Sequence, residues 1–127
     1  MKLLLDTHIL LWSASNKLPI EAEKHILDET NDLYFSSASI WEIVIKNGLN
    51  RVDFCVDTLA LYSGLMDNDY TELPVTSRHA LAVKNLPDIH KDPFDRVLLA
   101  QAIVEGMKFI TADSRIAKYP ASVVFVG

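Results

Sequence analysis

The sequence predicts an α/β protein: a three-layer α/β/α sandwich around a central, mostly parallel sheet of about five strands. Short apolar runs alternate with helical patterns along the whole of the 127-residue chain. Strict alternation favours right-handed crossovers, which give parallel strands covered by helices on both faces. Because the sequence contains no repeats or Gly/Ser-rich linkers, we expect a single domain over residues 1–127.

Five short apolar runs are predicted to be the strands. They are residues 2–5, 32–35, 71–75, 108–111 and 123–126. The first run consists of Lys2 followed by three consecutive leucines. An uninterrupted apolar run is typical of a strand with helices packed on both faces, so this strand is predicted to lie at the centre of the sheet.

Six segments with helical periodicity are predicted between the strands. They are residues 7–14, 20–30, 38–47, 57–68, 77–85 and 94–106. Gly48 and Gly106 follow their helical segments, where a glycine is favoured as the C-terminal cap. Pro93 stands at the start of the last segment, where the missing N–H has no helical partner to lose.

The composition argues against a secreted, zinc-binding or membrane protein. Cys55 is the single cysteine, so it cannot form an internal disulfide, and there is no Cys/His cluster with zinc-site spacing. Asp6 and His8 interrupt the first apolar run before a signal-peptide core would be complete. No later segment has the length of a membrane span. We therefore expect a cytoplasmic protein.

Five acidic residues fall where strands end or helices begin. Asp6 ends the first strand, Glu42 lies in the first turn of the helix after the second strand, and Asp113 follows the fourth strand. Asp92 and Asp95 begin the long helix that precedes the fourth strand. In an open α/β sheet, the carboxyl ends of the strands and the helix N-termini share one rim. We therefore expect the five carboxylates to lie on one rim of the sheet.

Each acid also has a simpler interpretation as a helix cap. The stretch "DPFD" at 92–95 reads as an N-cap, a proline at the first helical position and an acid favoured by the helix dipole. Ser39 and Glu42 have the spacing of a capping box, and Asp6 and Asp113 could each cap a following helix. Caps alone do not explain why all these acids gather at one edge.

A cluster of unpaired carboxylates beside an apolar core is unfavourable, because desolvation and mutual repulsion oppose ionisation. A bound divalent cation removes that penalty. Ligand sets made of oxygen atoms favour Mg²⁺ or Mn²⁺ over zinc or copper. Such an ion activates water and stabilises charge on a phosphate, so the predicted chemistry is phosphodiester hydrolysis by one or two ions.

Four short motifs occur in order along the chain. They are "LLLDTHILLW" (3–12), "SASIWEI" (37–43), "HKDPFDRVLLAQA" (90–102) and "FITADS" (109–114). In this order and at these separations they resemble the PIN-domain nucleases, and most closely the VapC-like toxins of type II toxin–antitoxin systems. The resemblance implies a PIN-like fold and a Mg²⁺- or Mn²⁺-dependent endoribonuclease. It also implies an RNA substrate, a homodimer and a cognate antitoxin protein.

The resemblance assigns the metal-binding and catalytic roles to four acids. These are Asp6, Glu42, Asp95 and Asp113. Asp92 is predicted to cap its helix or to support the ligands from behind, and Thr111 is predicted to help orient water at the site. The sequence departs from the family pattern after Asp113, where "TADSRIAKYP" lacks the Asp-Phe that often follows. Asp113 is therefore the ligand with the weakest support.

The net charge of −5, from 12 Lys and Arg against 17 Asp and Glu, argues against binding RNA mainly through a basic surface. The four proposed ligands account for most of this charge. Basic residues flank the proposed site in several segments. They are Lys46, Arg51, Lys91, Arg96, Arg115 and Lys118. Arg96 and Arg115 are predicted to bind substrate phosphates because their neighbours are ligands, and the others are expected to be solvated surface charges.

Other residues near the motifs are predicted to have structural roles. His8 is expected to support the site without acting as a base. His90 could meet substrate, but a loop histidine exposed to water is the simpler expectation. Trp12 and Trp41 fall on apolar helical faces, which favours packing in the core or in an interface over stacking on RNA bases.

Two other classes of function compete with a nuclease. The first is a catalytically inactive PIN-like module that binds a partner and whose carboxylates only cap helices. The second is a phospho-aspartate protein on a similar sheet. That class is disfavoured because Thr7 and His8, rather than further acids, follow Asp6.

Overall fold

The computed structural model describes residues 1–49 and 55–127, so Arg51 lies outside the described residues. The strands are β1 (Lys2–Leu5), β2 (Asp32–Ser36), β3 (Thr71–Leu73), β4 (Lys108–Thr111) and β5 (Val123–Phe125). The helices are α1 (Thr7–Ala14), α2 (Ile20–Leu27), α3 (Ser37–Gly48), α4 (Thr58–Asp67), α5 (Ser77–Ala82) and α6 (Pro93–Glu105). Short 3₁₀ turns follow at Val83–Asn85 and Ile116–Lys118. No helix within the two described ranges is long and apolar enough to cross a membrane.

The five strands form one parallel sheet in the order β3-β2-β1-β4-β5. β1 is the central strand, and Leu4 lies opposite Tyr34 on β2 and Phe109 on β4. The predicted α/β class and the central position of β1 are confirmed. The order reverses direction between β1 and β4, and in doubly wound sheets the crevice at such a point is where ligands bind.

The leucines of β1 face two separate cores. Leu3 and Leu5 belong to a cluster with residues of α1, α2, α3 and α4, whereas Leu4 packs with Leu98 and Leu99 of α6. All three β1 leucines are fully buried, and each contributes roughly 1.5–3 kcal/mol by leaving water. The sheet is therefore covered on both faces, which holds the carboxyl end of β1 in a fixed position.

β3 and α2 end earlier than the sequence predicted, and each end has a local cause. β3 stops at Leu73 because Pro74 has no N–H to continue the strand pairing. α2 stops at Leu27 because the Asp28 side chain accepts hydrogen bonds from the Thr30 N–H at 2.9 Å and from its hydroxyl at 2.7 Å. Such a local turn competes with the continuing helix.

The two cap glycines differ. Gly106 is left-handed at φ 68°, and the N–H of Met107 reaches back to the carbonyl of Ala102 at 2.9 Å, so its predicted capping role is confirmed. Gly48 is still helical, and the helix cap falls on Leu49. The predicted cap at Gly48 is therefore one residue too early.

Candidate active site

Asp6 lies directly after β1, at the switch point of the sheet. Its N–H donates to the carbonyl of Ile110 on β4 at 2.9 Å, and the residue is only 3% exposed. The Thr111 hydroxyl donates to Asp6 Oδ2 at 2.6 Å. Burial raises the pKa of Asp6 above 3.8, although the Thr111 hydrogen bond acts in the opposite direction. The side chain makes no capping hydrogen bond to α1, so the simple capping interpretation is wrong for Asp6.

Glu42 reaches the same edge from the second turn of α3, one turn later than the sequence suggested. The helix begins earlier because Ser36 is its cap, and the Ser36 side chain accepts from the N–H of Ala38 at 3.0 Å. The proposed capping box of Ser39 and Glu42 is therefore wrong. Glu42 is only 4% exposed and does not face water at a helix end.

The Glu42 carboxylate is held from two sides. The Thr7 hydroxyl donates to its Oε1 at 2.8 Å and lies 2.9 Å from the Ser39 hydroxyl. Lys46, one turn further along α3, lies 2.9 Å from Glu42 Oε2. Thr7 follows Asp6 directly, so this hydroxyl connects the acid of α3 to the end of β1.

The N-terminus of α6 carries two acids with different roles. Asp92 is the N-cap, and its Oδ1 accepts from the N–H groups of Phe94 at 2.8 Å and Asp95 at 3.4 Å. Pro93 occupies the first helical position, as predicted. Asp95 lies two residues after Pro93 and does not cap the helix. Its side chain is 15% exposed.

Asp95 is surrounded by negative charge. Burial together with the charges of Asp6, Asp92, Glu42 and Asp113 raises the pKa of Asp95 from 3.8 to about 8. These acids come from the end of β1, from α3, from the start of α6 and from the segment after β4. The structure therefore brings the four predicted ligands and Asp92 close enough for their charges to act on one carboxyl group.

Asp113 lies just past β4 and is more open to water. Its N–H donates to the Thr111 hydroxyl at 3.0 Å, while Arg115 donates to it through both its backbone N–H at 2.9 Å and its guanidinium at 3.1 Å. Partial burial acts to raise the pKa of Asp113, but the hydrogen bonds and charge of Arg115 outweigh it and lower the pKa. The Arg115 side chain remains 62% exposed.

His90 lies in this site, although the sequence favoured a loop position exposed to water over a contact with substrate. Its side chain is only 10% exposed, so the prediction of a water-exposed loop histidine is wrong. Its Nε2 lies 2.7 Å from Asp95 Oδ2 and 3.8 Å from Asp113 Oδ2. The spacing of five residues between His90 and Asp95 was visible in the sequence, but nothing local indicated that the loop turns back on the helix.

Arg96 points into the protein. Its Nη1 donates to the carbonyls of Pro87 at 2.9 Å and His90 at 3.3 Å, and its Nη2 donates to those of Val83 at 3.2 Å and Leu86 at 3.4 Å. The guanidinium thus holds the segment between α5 and α6 in place. Its predicted contact with substrate stays a prediction, and the geometry adds a structural role.

The two tryptophans behave differently. Trp12 packs against the core, as predicted. Trp41 is 62% exposed and contacts Phe94 edge-to-face at 5.4 Å, so a core position is wrong for it. Trp41, Val75, Phe94 and Val97 line an apolar depression of about 640 Å³ beside the acidic edge.

The donor set fits a hard divalent cation. One ligand atom from each of His90, Asp95 and Asp113 lies within 4.8 Å of the others, while Asp6 and Glu42 act on Asp95 through their charges. A carboxyl group whose pKa is raised by neighbouring anions is one that a cation would ionise. These side chains could therefore hold Mg²⁺ or Mn²⁺ at the crevice between β1 and β4.

A doubly wound parallel sheet with an acidic centre at its switch point defines an α/β/α protein with a candidate metal-dependent site. The chain belongs to the PIN domain family, whose model matches residues 3–122.

Several known proteins are similar to this chain in sequence or in fold. The chain is 26% identical over 117 residues to Ribonuclease VapC22 of Mycobacterium tuberculosis, covering 91% of this chain and 90% of that protein. The fold is similar to that in the DNA-bound VapBC2 complex of Rickettsia felis, with a TM-score of 0.75 and 15% identity over 100% of both chains. The DNA-bound VapBC complex of Salmonella typhimurium gives a TM-score of 0.73 at 17% identity, over 100% of this chain and 99% of that one.

Proposed function

We propose that this chain is a metal-dependent endoribonuclease that hydrolyses RNA phosphodiester bonds and acts as the toxin of a toxin–antitoxin pair. The observation that carries the proposal is the position of Asp95 among Asp6, Glu42 and Asp113 at the carboxyl edge of the sheet, where burial and these charges raise its pKa to about 8. Membership of the PIN domain family and the similarity to Ribonuclease VapC22 support RNA as the substrate. Residues 1–127 would act as one nuclease domain in the cytoplasm.

Asp6, Glu42, Asp95 and Asp113 would hold Mg²⁺ or Mn²⁺. When bound, such an ion lowers the pKa of water and offsets charge that develops on the phosphate. The protein's part is to fix the ligands. The Thr111 hydroxyl holds Asp6 Oδ2 and the Thr7 hydroxyl holds Glu42 Oε1, so neither acid has to be ordered when RNA arrives.

The RNA substrate would reach the proposed metal ligands at the carboxyl edge of the sheet. Arg115 is the basic residue beside the ligands whose guanidinium is well exposed, which supports a contact with an RNA phosphate. Its hydrogen bond to Asp113 would let one side chain orient the ligand and contact the RNA backbone.

The protein partners proposed are an antitoxin and a second copy of this chain. The structural neighbours are VapBC complexes, which supports an antitoxin. The exposed apolar side chains of Trp41, Val44 and Val75 support self-association, because such patches on soluble proteins commonly mark interfaces. Light scattering of the purified chain tests this: a dimer is expected, and Trp41→Asp should shift it to monomer.

The experiment that tests the catalytic proposal compares Asp95→Asn with Asp32→Asn. Asp32 is an exposed acid at the start of β2, on the opposite edge of the sheet from the site. We expect Asp95→Asn to slow RNA cleavage at least about 100-fold, because a metal ion contributes several kcal/mol to the transition state. Asp32→Asn should stay within about twofold of the wild type.

A thermal melt separates an enzyme from an inactive binding module. Millimolar Mn²⁺ should raise the melting temperature of the wild type, because an ion bound to the native state alone stabilises it. Asp95→Asn should lose most of this shift. Wild-type rates of RNA cleavage in Asp95→Asn, or a melting temperature of the wild type indifferent to Mn²⁺, would show that the proposal is wrong.

A further inference from the structure

His90 places a ring nitrogen among the proposed carboxylate ligands. Its Nε2 lies 2.7 Å from Asp95 Oδ2 and 3.8 Å from Asp113 Oδ2, and the three ligand atoms lie within 4.8 Å of one another. For bonds of about 2.1 Å, adjacent ligand atoms of an octahedral ion stand roughly 3.0 Å apart and opposite ones roughly 4.2 Å apart. Shifts of a fraction of an ångström would bring all three atoms onto one ion.

The backbone of His90 is fixed independently of the ring. Its N–H donates to the Tyr119 hydroxyl at 2.8 Å, and its carbonyl accepts from the same hydroxyl at 3.1 Å. The Arg96 guanidinium also donates to that carbonyl at 3.3 Å. These contacts come from α6 and from the segment after β4, so the imidazole is delivered to the site at little entropic cost.

We infer that His90 is a nitrogen ligand of the metal ion and that it makes the site select Mn²⁺ over Mg²⁺. This inference rests on the proposed function, since it concerns the same site. Mg²⁺ prefers oxygen ligands and retains its waters, whereas imidazole nitrogen suits transition metals. One nitrogen among carboxylates therefore favours Mn²⁺ without excluding Mg²⁺.

A different role for His90 predicts the opposite result. If the ring only formed a hydrogen bond with the carboxylates, an incoming cation would have to displace it. Removing the ring would then strengthen the binding of Mn²⁺ and Mg²⁺ alike. Measuring both affinities in His90 variants decides between the two roles.

The experiment uses the purified chain without RNA. Calorimetry measures the affinities for Mn²⁺ and Mg²⁺, and pulsed electron paramagnetic resonance detects nitrogen coupled to the bound Mn²⁺. The wild type should show ¹⁴N coupling to Mn²⁺ and bind Mn²⁺ at least about tenfold more tightly than Mg²⁺. His90→Ala should lose the coupling and about ten- to a hundredfold in Mn²⁺ affinity, while its Mg²⁺ affinity changes less than about threefold. His90→Gln, which offers an amide oxygen, should also lose the coupling but keep its affinity for Mg²⁺.

His8→Ala is the matched control. His8 is an exposed histidine two residues after Asp6, so it is the other ring close enough in sequence to place nitrogen near the ion. The ¹⁴N coupling should persist in this variant.

The outcomes separate the two levels of the proposal. Mn²⁺ bound to the wild type without ¹⁴N coupling, or coupling lost in His8→Ala instead of His90→Ala, would overturn the role of His90 alone. Tighter binding of both ions by His90→Ala would also overturn it. Absence of Mn²⁺ binding by the wild type would overturn the proposed nuclease function as well.

Discussion

Helix α6 makes a histidine–carboxylate contact near each of its ends, and the two contacts differ in their surroundings. Near its N-terminus, His90 Nε2 lies 2.7 Å from Asp95, and near its C-terminus, His79 Nε2 lies 2.8 Å from Glu105. His79 is 1% exposed, and its Nδ1 accepts from the N–H of Thr76 at 2.9 Å. Because Nδ1 is an acceptor, Nε2 carries the proton of the neutral ring and donates to Glu105.

The hydrogen-bonding groups of His79 are satisfied, whereas the His90 contact is surrounded by negatively charged carboxylates. Both nitrogens of His79 have partners, and Glu105 keeps access to water, with 34% of its side chain exposed. Burial, together with the charges of four other acids, instead raises the pKa of Asp95 to about 8. The two contacts have similar distances but different surroundings: the first joins α5 to α6, and the second belongs to the proposed metal site.

The largest stability change that this comparison predicts is at His79. His79→Ala removes the Thr76 capping partner and the Glu105 contact from a buried position, which should cost about 2–3 kcal/mol. The melting temperature should fall by roughly 3–6 °C per kcal/mol for a chain of this size. Thermal unfolding in EDTA measures this change.

Mn²⁺ affinity is the control for His79→Ala, and it should stay within about twofold of the wild type. An unchanged melting temperature, or a large loss of Mn²⁺ binding, would show that the two ends of α6 do not differ in the way described.

The pH dependence of stability should sharpen the contrast at the other end of α6. The pKa of Asp95 is about 8 in the folded chain against an ordinary value of 3.8, so between these values the folded state holds a proton that the unfolded state has lost. Without metal, the contribution of Asp95 therefore falls as the pH rises from 4 to 8, by about 1–3 kcal/mol because water reaches part of the carboxyl group.

Urea unfolding in EDTA tests this dependence. Asp95→Asn should be as stable as the wild type near pH 4 and more stable above pH 8, whereas Asp92→Asn, which keeps an oxygen to cap α6, should show a weaker trend. A difference between wild type and Asp95→Asn that is constant with pH would contradict the prediction.

The smallest expected effect concerns Arg115. Arg115→Gln should raise KM for RNA by about three- to tenfold, with less effect on kcat, because an exposed arginine loses one phosphate contact. The slope of log affinity against log salt concentration should decrease in magnitude by about one, because one phosphate contact is lost. Lys24→Gln, an exposed cation on α2 paired with Glu21, is the control and should leave both values unchanged. Equal effects in the two variants would show that Arg115 does not contact the RNA.

Local sequence was sufficient for much of the fold. The bounds of β1 and β4 agree with the prediction because each strand is a lysine followed by a short, mainly apolar run. Helix α6 agrees to one residue at each end, because Pro93 and Gly106 act through local backbone geometry. The rim position of the acids followed from topology alone, since strand ends and helix starts share an edge in a parallel sheet.

The rest depended on contacts between distant segments. Both Ser36 and Ser39 could have capped α3, and only the fold shows that Ser39 lies beside Thr7, 32 residues away. His90 was misjudged for the same reason. Its orientation depends on Tyr119, 29 residues further along the chain. The sequence near His90 does not predict that contact. Trp41 was predicted to pack in the core or in an interface because its helical face is apolar. The fold leaves Trp41 exposed, which excludes the core, and packing in an interface stays a prediction.

The hydrogen bond between Thr111 and Asp6 spans 105 positions of the chain. During synthesis, therefore, Asp6 lacks this partner until Thr111 has been added and has folded against it. At about 5–20 residues per second, adding the intervening residues takes about 5 to 20 seconds. A nascent chain that has not yet formed β4 therefore lacks part of the proposed metal site. A fragment of residues 1–105, which lacks β4, should accordingly fail to bind Mn²⁺.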